Sequence, residues 1–153
     1  MNRFLLSATL LSSLLLSAPG GVSAPPEGKR ETKREARHED HGINHCAHEC
    51  ARCMMECESC ARHCAEMLRR GEAKHEKTLG TCADCAELCA AAAKIVARDG
   101  PMATTVCTAC ATACDTCAKA CEEFPSDEHM KRCARACRDC GKACHEMIKH
   151  VKH

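Results

Sequence analysis

The most regular feature of the chain is a cysteine that recurs at alternating steps of three and four residues. Between Cys46 and Cys64 the steps are four, three, four, three and four. This is the a/d repeat of a coiled-coil helix, in which the repeated side chains form one stripe that faces the neighbouring helices. Leu or Ile usually fills such a stripe, so the pattern predicts a helix whose buried face consists of thiols.

The same stripe occurs four times along the chain. Its cysteines are Cys46, Cys50, Cys53, Cys57, Cys60 and Cys64; Cys82, Cys85 and Cys89; Cys107, Cys110, Cys114, Cys117 and Cys121; and Cys133, Cys137, Cys140 and Cys144. The four helices are predicted over about 43–70, 72–98, 101–124 and 127–152, with Gly71, Asp99-Gly100-Pro101 and Pro125 between them. Ser126 is expected to cap the last helix. Short connections between similar helices predict an all-α, antiparallel up-down-up-down four-helix bundle with all eighteen thiols in its core.

The N-terminus has the layout of a secretory signal peptide. An apolar run from Phe4 to Leu16 follows Arg3 and leads into small residues that end at Ala24. We predict a signal peptide over 1–24, cleaved between Ala18 and Ala24, and therefore a soluble protein exported to the periplasm or the extracellular space. A membrane anchor is the alternative, although the run is short for a bilayer span.

A charged segment separates this signal from the bundle. Residues 25–42 contain hardly an apolar side chain, which predicts a disordered leader followed by a bundle domain over 43–153. Four histidines lead into the first cysteines: His38, His41, His45 and His48. They are either a solvated segment or a weak metal-capture arm.

Composition and charge narrow the possible partners. The formal net charge is +1 at pH 7, which gives no reason to expect nucleic acid as a partner. Trp and Tyr are absent and only two Phe occur, so few large apolar side chains remain to form a core. Cysteine makes up 18 of 153 residues, above the roughly 8–10% that marks a disulfide scaffold or a metal protein.

Three explanations compete for the cysteines. Thiols three or four residues apart on a helix are about 5–6 Å apart at Cβ, too far for the disulfide distance of about 3.5–4.5 Å, so a disulfide-stabilised scaffold would need bridges between helices. Buried cysteines acting as small hydrophobes would make a thin core. Metal binding explains the unbroken rows best, because thiolates select Cu(I), Zn(II) and iron–sulfur clusters.

Charge separates the metals. If each thiolate carries one negative charge, about one monovalent ion per cysteine neutralises the core, whereas separate four-cysteine Zn(II) sites would leave a large negative excess in a low-dielectric interior. The sequence therefore favours multiple Cu(I) ions, up to about one per cysteine. A zinc or cadmium thiolate buffer is the alternative, together with the disulfide-stabilised helical scaffold.

The chain also resembles the copper storage proteins. The matching repeat is Cys107-x-x-Cys110-x-x-x-Cys114-x-x-Cys117-x-x-x-Cys121, with the same alternation from Cys50 to Cys64, and the resemblance extends over about Ile43 to Val151. It implies storage of Cu(I) as many thiolate-bridged ions inside a four-helix bundle, and a homo-oligomer, often a tetramer in this family.

Continuing each stripe past its cysteines distinguishes the two ends of the bundle. One end continues into mostly aliphatic positions, whereas the other continues into Met67, His75 and Met130, with Thr78 and Phe124. Thioether and imidazole are soft or borderline donors, so we predict that copper enters at the second end; for each Met the alternative is simple packing.

Thiol chemistry by an enzyme is not expected. Redox Cys-x-x-Cys pairs place one thiol at an exposed helix N-terminus, where its pKa falls, whereas these pairs lie in mid-helix and face inward. Covalent haem attachment needs Cys-x-x-Cys-His, which does not occur in the chain.

Overall fold

A computed structural model describes residues 27–150 of the chain. It contains four helices: α1 at Glu27–Arg69, α2 at Glu76–Val96, α3 at Ala103–Glu122 and α4 at Glu128–His150. A short 3₁₀ helix at Ala73–His75 lies between α1 and α2. Each helix packs against the next one, and α4 packs against α1 to close the bundle. The all-α four-helix prediction is confirmed, and the predicted signal peptide over 1–24 lies outside the described residues.

The first helix is longer than predicted. The segment 25–42 was expected to be a disordered leader, but α1 begins at Glu27 and runs without a break through this segment. The prediction rested on the absence of apolar side chains, which rules out a buried face but does not prevent helix formation. Glu, Lys, Arg and Ala fill much of this stretch and are strong helix formers.

Glycine ends α1 as predicted. Gly71 has a φ of 90°, a left-handed value that residues with a Cβ rarely adopt. The Glu72 amide donates to the Met67 carbonyl at 3.0 Å and the Gly71 amide donates to the Leu68 carbonyl at 2.9 Å. These two bonds form a Schellman motif, which satisfies the last carbonyls of the helix and reverses the chain toward α2.

The end of α2 uses an aspartate for the same purpose. Asp99 takes the left-handed position, with a φ of 48°, and the Gly100 amide donates to the Ile95 carbonyl at 3.0 Å. Glycine avoids a tight contact at position 100, because a Cβ there would lie 3.1 Å from both Cγ2 and the carbonyl oxygen of Ile95. Pro101 then follows, outside the helix.

The cap of α4 is Asp127, so the prediction of Ser126 was wrong by one residue. Asp127 Oδ1 accepts hydrogen bonds from the amides of His129, at 2.8 Å, and Met130, at 3.2 Å. Its other oxygen, Oδ2, lies 2.8 Å from His63 Nε2 on α1. Because this contact with His63 holds Asp127 in place, Asp127 rather than Ser126 caps α4.

Ion pairs between helices lie on the outside of the bundle. Arg52 and Asp139 connect α1 with α4 at 2.8 Å, and Arg138 and Glu122 connect α4 with α3 at 2.9 Å. Exposed pairs of this kind contribute little stability individually, so the fold depends on what fills the core. Within residues 27–150, no helix combines the length and the apolar character needed to span a bilayer.

Candidate metal centre

The core of the bundle consists of thiols. All eighteen cysteines are at most 1% exposed, and alanines such as Ala86, Ala111 and Ala118 surround them. Because alanine is small, the four helices can approach closely enough for sulfur atoms from different helices to meet. The stripes predicted from the sequence therefore form one continuous interior.

The sulfur atoms are close neighbours but are not bonded to one another. Cys82 Sγ lies 3.5 Å from Cys117 Sγ, and Cys50 Sγ lies 3.6 Å from Cys144 Sγ. A disulfide requires about 2.05 Å, and all eighteen cysteines are free thiols in the structure. Two thiolates that bind one tetrahedral ion at about 2.3 Å are about 3.8 Å apart, so these separations suit ligands of a shared metal ion.

Groups of four thiols converge along the bundle axis, with all four sulfur atoms within 4.8 Å of one another. Five of these groups are Cys50, Cys110, Cys140 and Cys144; Cys53, Cys85, Cys89 and Cys114; Cys53, Cys57, Cys85 and Cys137; Cys57, Cys117, Cys133 and Cys137; and Cys60, Cys82, Cys121 and Cys133. Apart from the group that contains Cys50, neighbouring groups share members: Cys53, Cys57, Cys85, Cys133 and Cys137 each belong to two of the five. Filling neighbouring groups therefore requires thiolates that bridge two ions, which describes a continuous cluster better than a row of separate sites.

The metal-free thiols share protons across the core. Hydrogen bonding by Cys121 lowers the pKa of Cys60 to about 5. Hydrogen bonding by Cys60, together with burial, raises the pKa of Cys64, and hydrogen bonding by Cys110 raises the pKa of Cys114. A thiol that keeps its proton can therefore donate a hydrogen bond to a neighbouring sulfur and lower the pKa of that neighbour. A metal ion must displace these protons in order to bind.

One end of the thiol core carries other donors. Met130 is fully buried and its Sδ lies 3.3 Å from Cys60 Sγ. His75 is 2% exposed and its ring is stacked on Phe124 with centroids 4.2 Å apart. Its Nδ1 is buried and has no hydrogen-bond partner among the described residues. Met67 is half-buried on the last turns of α1 at the same end. All three predicted access residues therefore lie at the end of the core that holds Cys60 and Cys64.

Two further histidines at this end were missed from the sequence. The rings of His63 and His129 are stacked with centroids 4.7 Å apart, and His63 also meets the His75 ring edge to face at 6.1 Å. His63 pairs with Asp127, and Ser59 Oγ lies 3.2 Å from His129 Nε2. The only signal in the sequence is that His63 directly precedes Cys64 and His129 directly precedes Met130, next to the stripes rather than in them.

The opposite end is closed by aliphatic side chains. Val96, Ala92, Ala103 and Met147 are buried there, and Ile43 on α1 is partly buried and packs against the core. None of the four aliphatic side chains offers a metal ligand, and Met147 is the one soft donor among the five. The contrast between the two ends follows the contrast predicted from the stripes.

A comparison with protein families identifies the chain. The family model for copper storage proteins matches residues 38–149, which include every cysteine and most of the four helices. The chain belongs to the copper storage protein family. No curated protein sequence matched it.

Solved structures of the copper storage family support the same assignment. A cytosolic copper storage protein from Streptomyces lividans, in a structure described as copper loading with five coppers, is 32% identical and superposes with a TM-score of 0.69; the match covers 74% of this chain and 98% of that one. A structure of the same protein loaded with 10 copper equivalents is 33% identical with a TM-score of 0.67, and the match covers 72% of this chain and 86% of that one.

Family membership and the thiol core together define the function at a coarse level. The chain stores copper through cysteine thiolates inside a helical bundle, and it binds several ions. Storage requires ligands that hold and release ions rather than groups that transform a substrate, so the family is not enzymatic. The buried thiols perform this function because a metal that replaces protons in a closed core is shielded from other ligands.

Proposed function

We propose that the stored ion is Cu(I), bound as thiolate-bridged clusters at up to about one ion per cysteine, in an exported protein. The observation that carries the proposal is the sharing of thiols between neighbouring four-cysteine groups. Shared thiolates let the number of ions approach the number of cysteines, because each sulfur serves two ions.

Charge supports a monovalent ion. The thiol core is neutral where each sulfur keeps its proton, and Cu(I) replaces protons one for one. The buried charge therefore stays balanced at every stage of loading, which matters because unpaired charge in an apolar interior costs several kcal/mol per ion. A divalent ion preserves neutrality only when it displaces two protons, so fewer ions fit.

A zinc or cadmium buffer is the alternative, since the thiol separations also suit tetrahedral thiolate sites. It predicts that the core fills with four or five divalent ions. The zinc or cadmium alternative also predicts that Cu(I) does not displace the divalent ions. Soft thiolates favour Cu(I), which argues against this alternative.

The deciding experiment is an anaerobic titration of the reduced protein with Cu(I) against a strong chelator, with the retained ions counted. A plateau near one ion per cysteine is expected. A plateau at four or five ions, together with ready displacement of copper by Zn(II), would show that the divalent alternative is correct. Thiol counting before each titration serves as the control for oxidation.

We further propose that copper enters at the end of the core that carries Met67, His75 and Met130. The buried Nδ1 of His75 accepts or donates no hydrogen bond within residues 27–150, and Met130 Sδ lies beside Cys60, so these side chains can bind an ion before the thiolates take it. Imidazole and thioether bind copper more weakly than thiolate, and an ion can therefore pass inward.

Export and oligomerisation belong to the same proposal. The N-terminal pattern over 1–24 supports secretion, in contrast to the Streptomyces lividans relative, which is described as cytosolic. Fractionation of cells that express the chain, with N-terminal sequencing of the mature protein, tests secretion. A homo-oligomer is supported by the resemblance and by the exposed side chains of Met55 and Met102, and light scattering of the purified protein measures it.

A further inference from the structure

Three histidines at the other end of the bundle play no part in the thiol core. His41, His45 and His48 lie on α1, ahead of and beside Cys46, and all three are exposed. This part of α1 adjoins the end of the core that aliphatic side chains close. The histidines are therefore separated from the proposed access residues by the whole length of the thiol stripe.

The early start of α1 decides how these histidines are arranged. Because the helix begins at Glu27, the segment His41-Gly42-Ile43-Asn44-His45 is helical throughout. Residues four apart on a helix lie one above the other on the same face, with Cβ atoms about 5–6 Å apart. Two histidines at this spacing are a known chelating arrangement, as in helical zinc sites.

We propose that His41 and His45 form a surface site for one divalent transition-metal ion, with the highest affinity for Cu(II). Imidazole suits Zn(II), Ni(II) and Cu(II), and Cu(II) binds most tightly in the series of divalent ions. The thiolate core selects a soft monovalent ion, so the chain has two metal sites of different chemistry. Water completes the coordination of the surface ion.

Among the described side chains, the nearest carboxylate on the C-terminal side of the pair is already engaged. Glu49 lies four residues after His45, but its Oε2 is 2.6 Å from Arg52 Nη2 and is occupied by that contact. Ile43, between the two histidines, packs on the core and holds this part of α1 against the bundle. His41 and His45 are thus exposed on a part of α1 that Ile43 holds against the core.

His48 provides a matched control. It lies three residues after His45 and seven after His41. Because it is about 10 Å along the helix from His41, one ion cannot be bound by His41 and His48 together. The ion is therefore bound by His41 and His45, and His48→Gln should have only a small effect on the affinity for Cu(II).

The test uses untagged protein whose thiols are first saturated with Cu(I) under anaerobic conditions. Cu(II) is then added with glycine as a competitor, and bound Cu(II) is measured by electron paramagnetic resonance, to which the Cu(I) core is silent. One bound Cu(II) per chain with nitrogen hyperfine structure is expected. His41→Gln and His45→Gln should each weaken this binding at least about tenfold. His48→Gln should not, and neither should His145→Gln, which changes an exposed histidine on α4.

Two results would overturn the inference. One is an unchanged Cu(II) signal in the His41→Gln/His45→Gln double variant, which would mean that the ion binds elsewhere or adventitiously. The other is loss of binding in His48→Gln with retention in His41→Gln. Cu(I) capacity and helix content should be the same in all variants because the substituted side chains are exposed, and these two measurements show that each variant is folded.

Discussion

Cys60 and Met130 bring their sulfur atoms within 3.3 Å of each other, across the contact between α1 and α4. This pair joins the thiol core to the donors at the end of the bundle, since Cys60 also lies 3.9 Å from Cys121 and Met130 follows the stacked His129. In the proposed entry route, the Met130 thioether passes a soft ion to the Cys60 thiol, whose pKa is low, because one sulfur can begin to bind before the other has released it.

Replacing Met67 by Leu, His75 by Phe and Met130 by Leu is expected to slow Cu(I) loading while leaving the final capacity unchanged. The substitutions remove the donors at this end but keep volume and apolar contact, and they leave all eighteen thiols in place. The measurement is the rate of Cu(I) transfer from a coloured chelator, followed by the number of ions retained.

The matched control changes the other end of the bundle. A Met147→Leu variant, which replaces a buried side chain among Val96, Ala92 and Ala103, should load at the wild-type rate. Equal loading rates for the triple variant and the wild type would show that copper does not enter beside Met130.

Cys57 is expected to matter more for capacity than Cys107. Its Sγ lies within 4.0 Å of four other sulfur atoms, those of Cys53, Cys117, Cys133 and Cys137. Cys107 Sγ is 3.9 Å from that of Cys46 near the closed end of the core. Cys57→Ser should therefore reduce the number of retained Cu(I) ions more than Cys107→Ser, as measured by chelator competition; equal losses would contradict a bridged cluster.

Removing the metal is expected to destabilise the fold. Ions that bind only the folded chain add their binding free energy to stability, about 2.7 kcal/mol for one site at a hundredfold excess over its Kd. The melting temperature of the reduced protein should therefore rise with each equivalent of Cu(I), and Zn(II) at the same excess should raise it less. A melting temperature that is the same with and without copper would contradict the assignment of the core as a metal centre.

The sequence predicted the core well because the core is a periodic feature. A stripe at three-four spacing specifies which face of each helix is buried, and all eighteen cysteines lie on that face in the structure. The same reasoning placed the proposed access residues, since Met67 and Met130 occupy the next positions of two stripes and His75 follows Thr78 in a third.

The sequence did not predict the contacts between side chains of different helices, and it did not predict that a charged segment without apolar residues would be helical. The stacking of His63 on His129 joins α1 to α4, and neither residue belongs to a stripe. The start of α1 at Glu27 was missed because hydrophobic periodicity carries no information about a helix without a buried face. Ser126 and Asp127 are both good caps, and the bond of Asp127 to His63 decides between them.

Asp127→Ala should lower the free energy of unfolding of the metal-free protein by about 1 kcal/mol at neutral pH, since it removes the cap of α4. Partial burial acts to raise the pKa of Asp127, but hydrogen bonds with His63 and with the Met130 and His129 amides outweigh it and hold the pKa below its ordinary value. A carboxylate whose pKa is lowered by folding stabilises the protein above its unfolded pKa, and this contribution is lost as the pH falls through the folded value.

The difference between wild type and Asp127→Ala should thus be constant above about pH 5 and shrink below about pH 4. Urea unfolding of the reduced, metal-free protein across this range measures it. Ser126→Ala is the matched control and should be close to neutral. If Ser126→Ala lowers the free energy of unfolding as much as Asp127→Ala does, Ser126 contributes to the cap of α4 as the sequence predicted.

Two glycines near each other in the chain should respond to alanine in opposite directions. Gly71 has a φ of 90° at the end of α1, where a Cβ is strained even though nothing lies within 4 Å of it, so Gly71→Ala should lower the free energy of unfolding by about 1–2 kcal/mol. Gly80 is exposed inside α2 with ordinary helical geometry and open space around it, so Gly80→Ala should raise that free energy by about 0.5–1 kcal/mol. Urea unfolding of both variants without metal separates the effects, because both sites lie outside the thiol core. A loss of stability in Gly80→Ala equal to that in Gly71→Ala would mean that α2 begins after Gly80 rather than at Glu76.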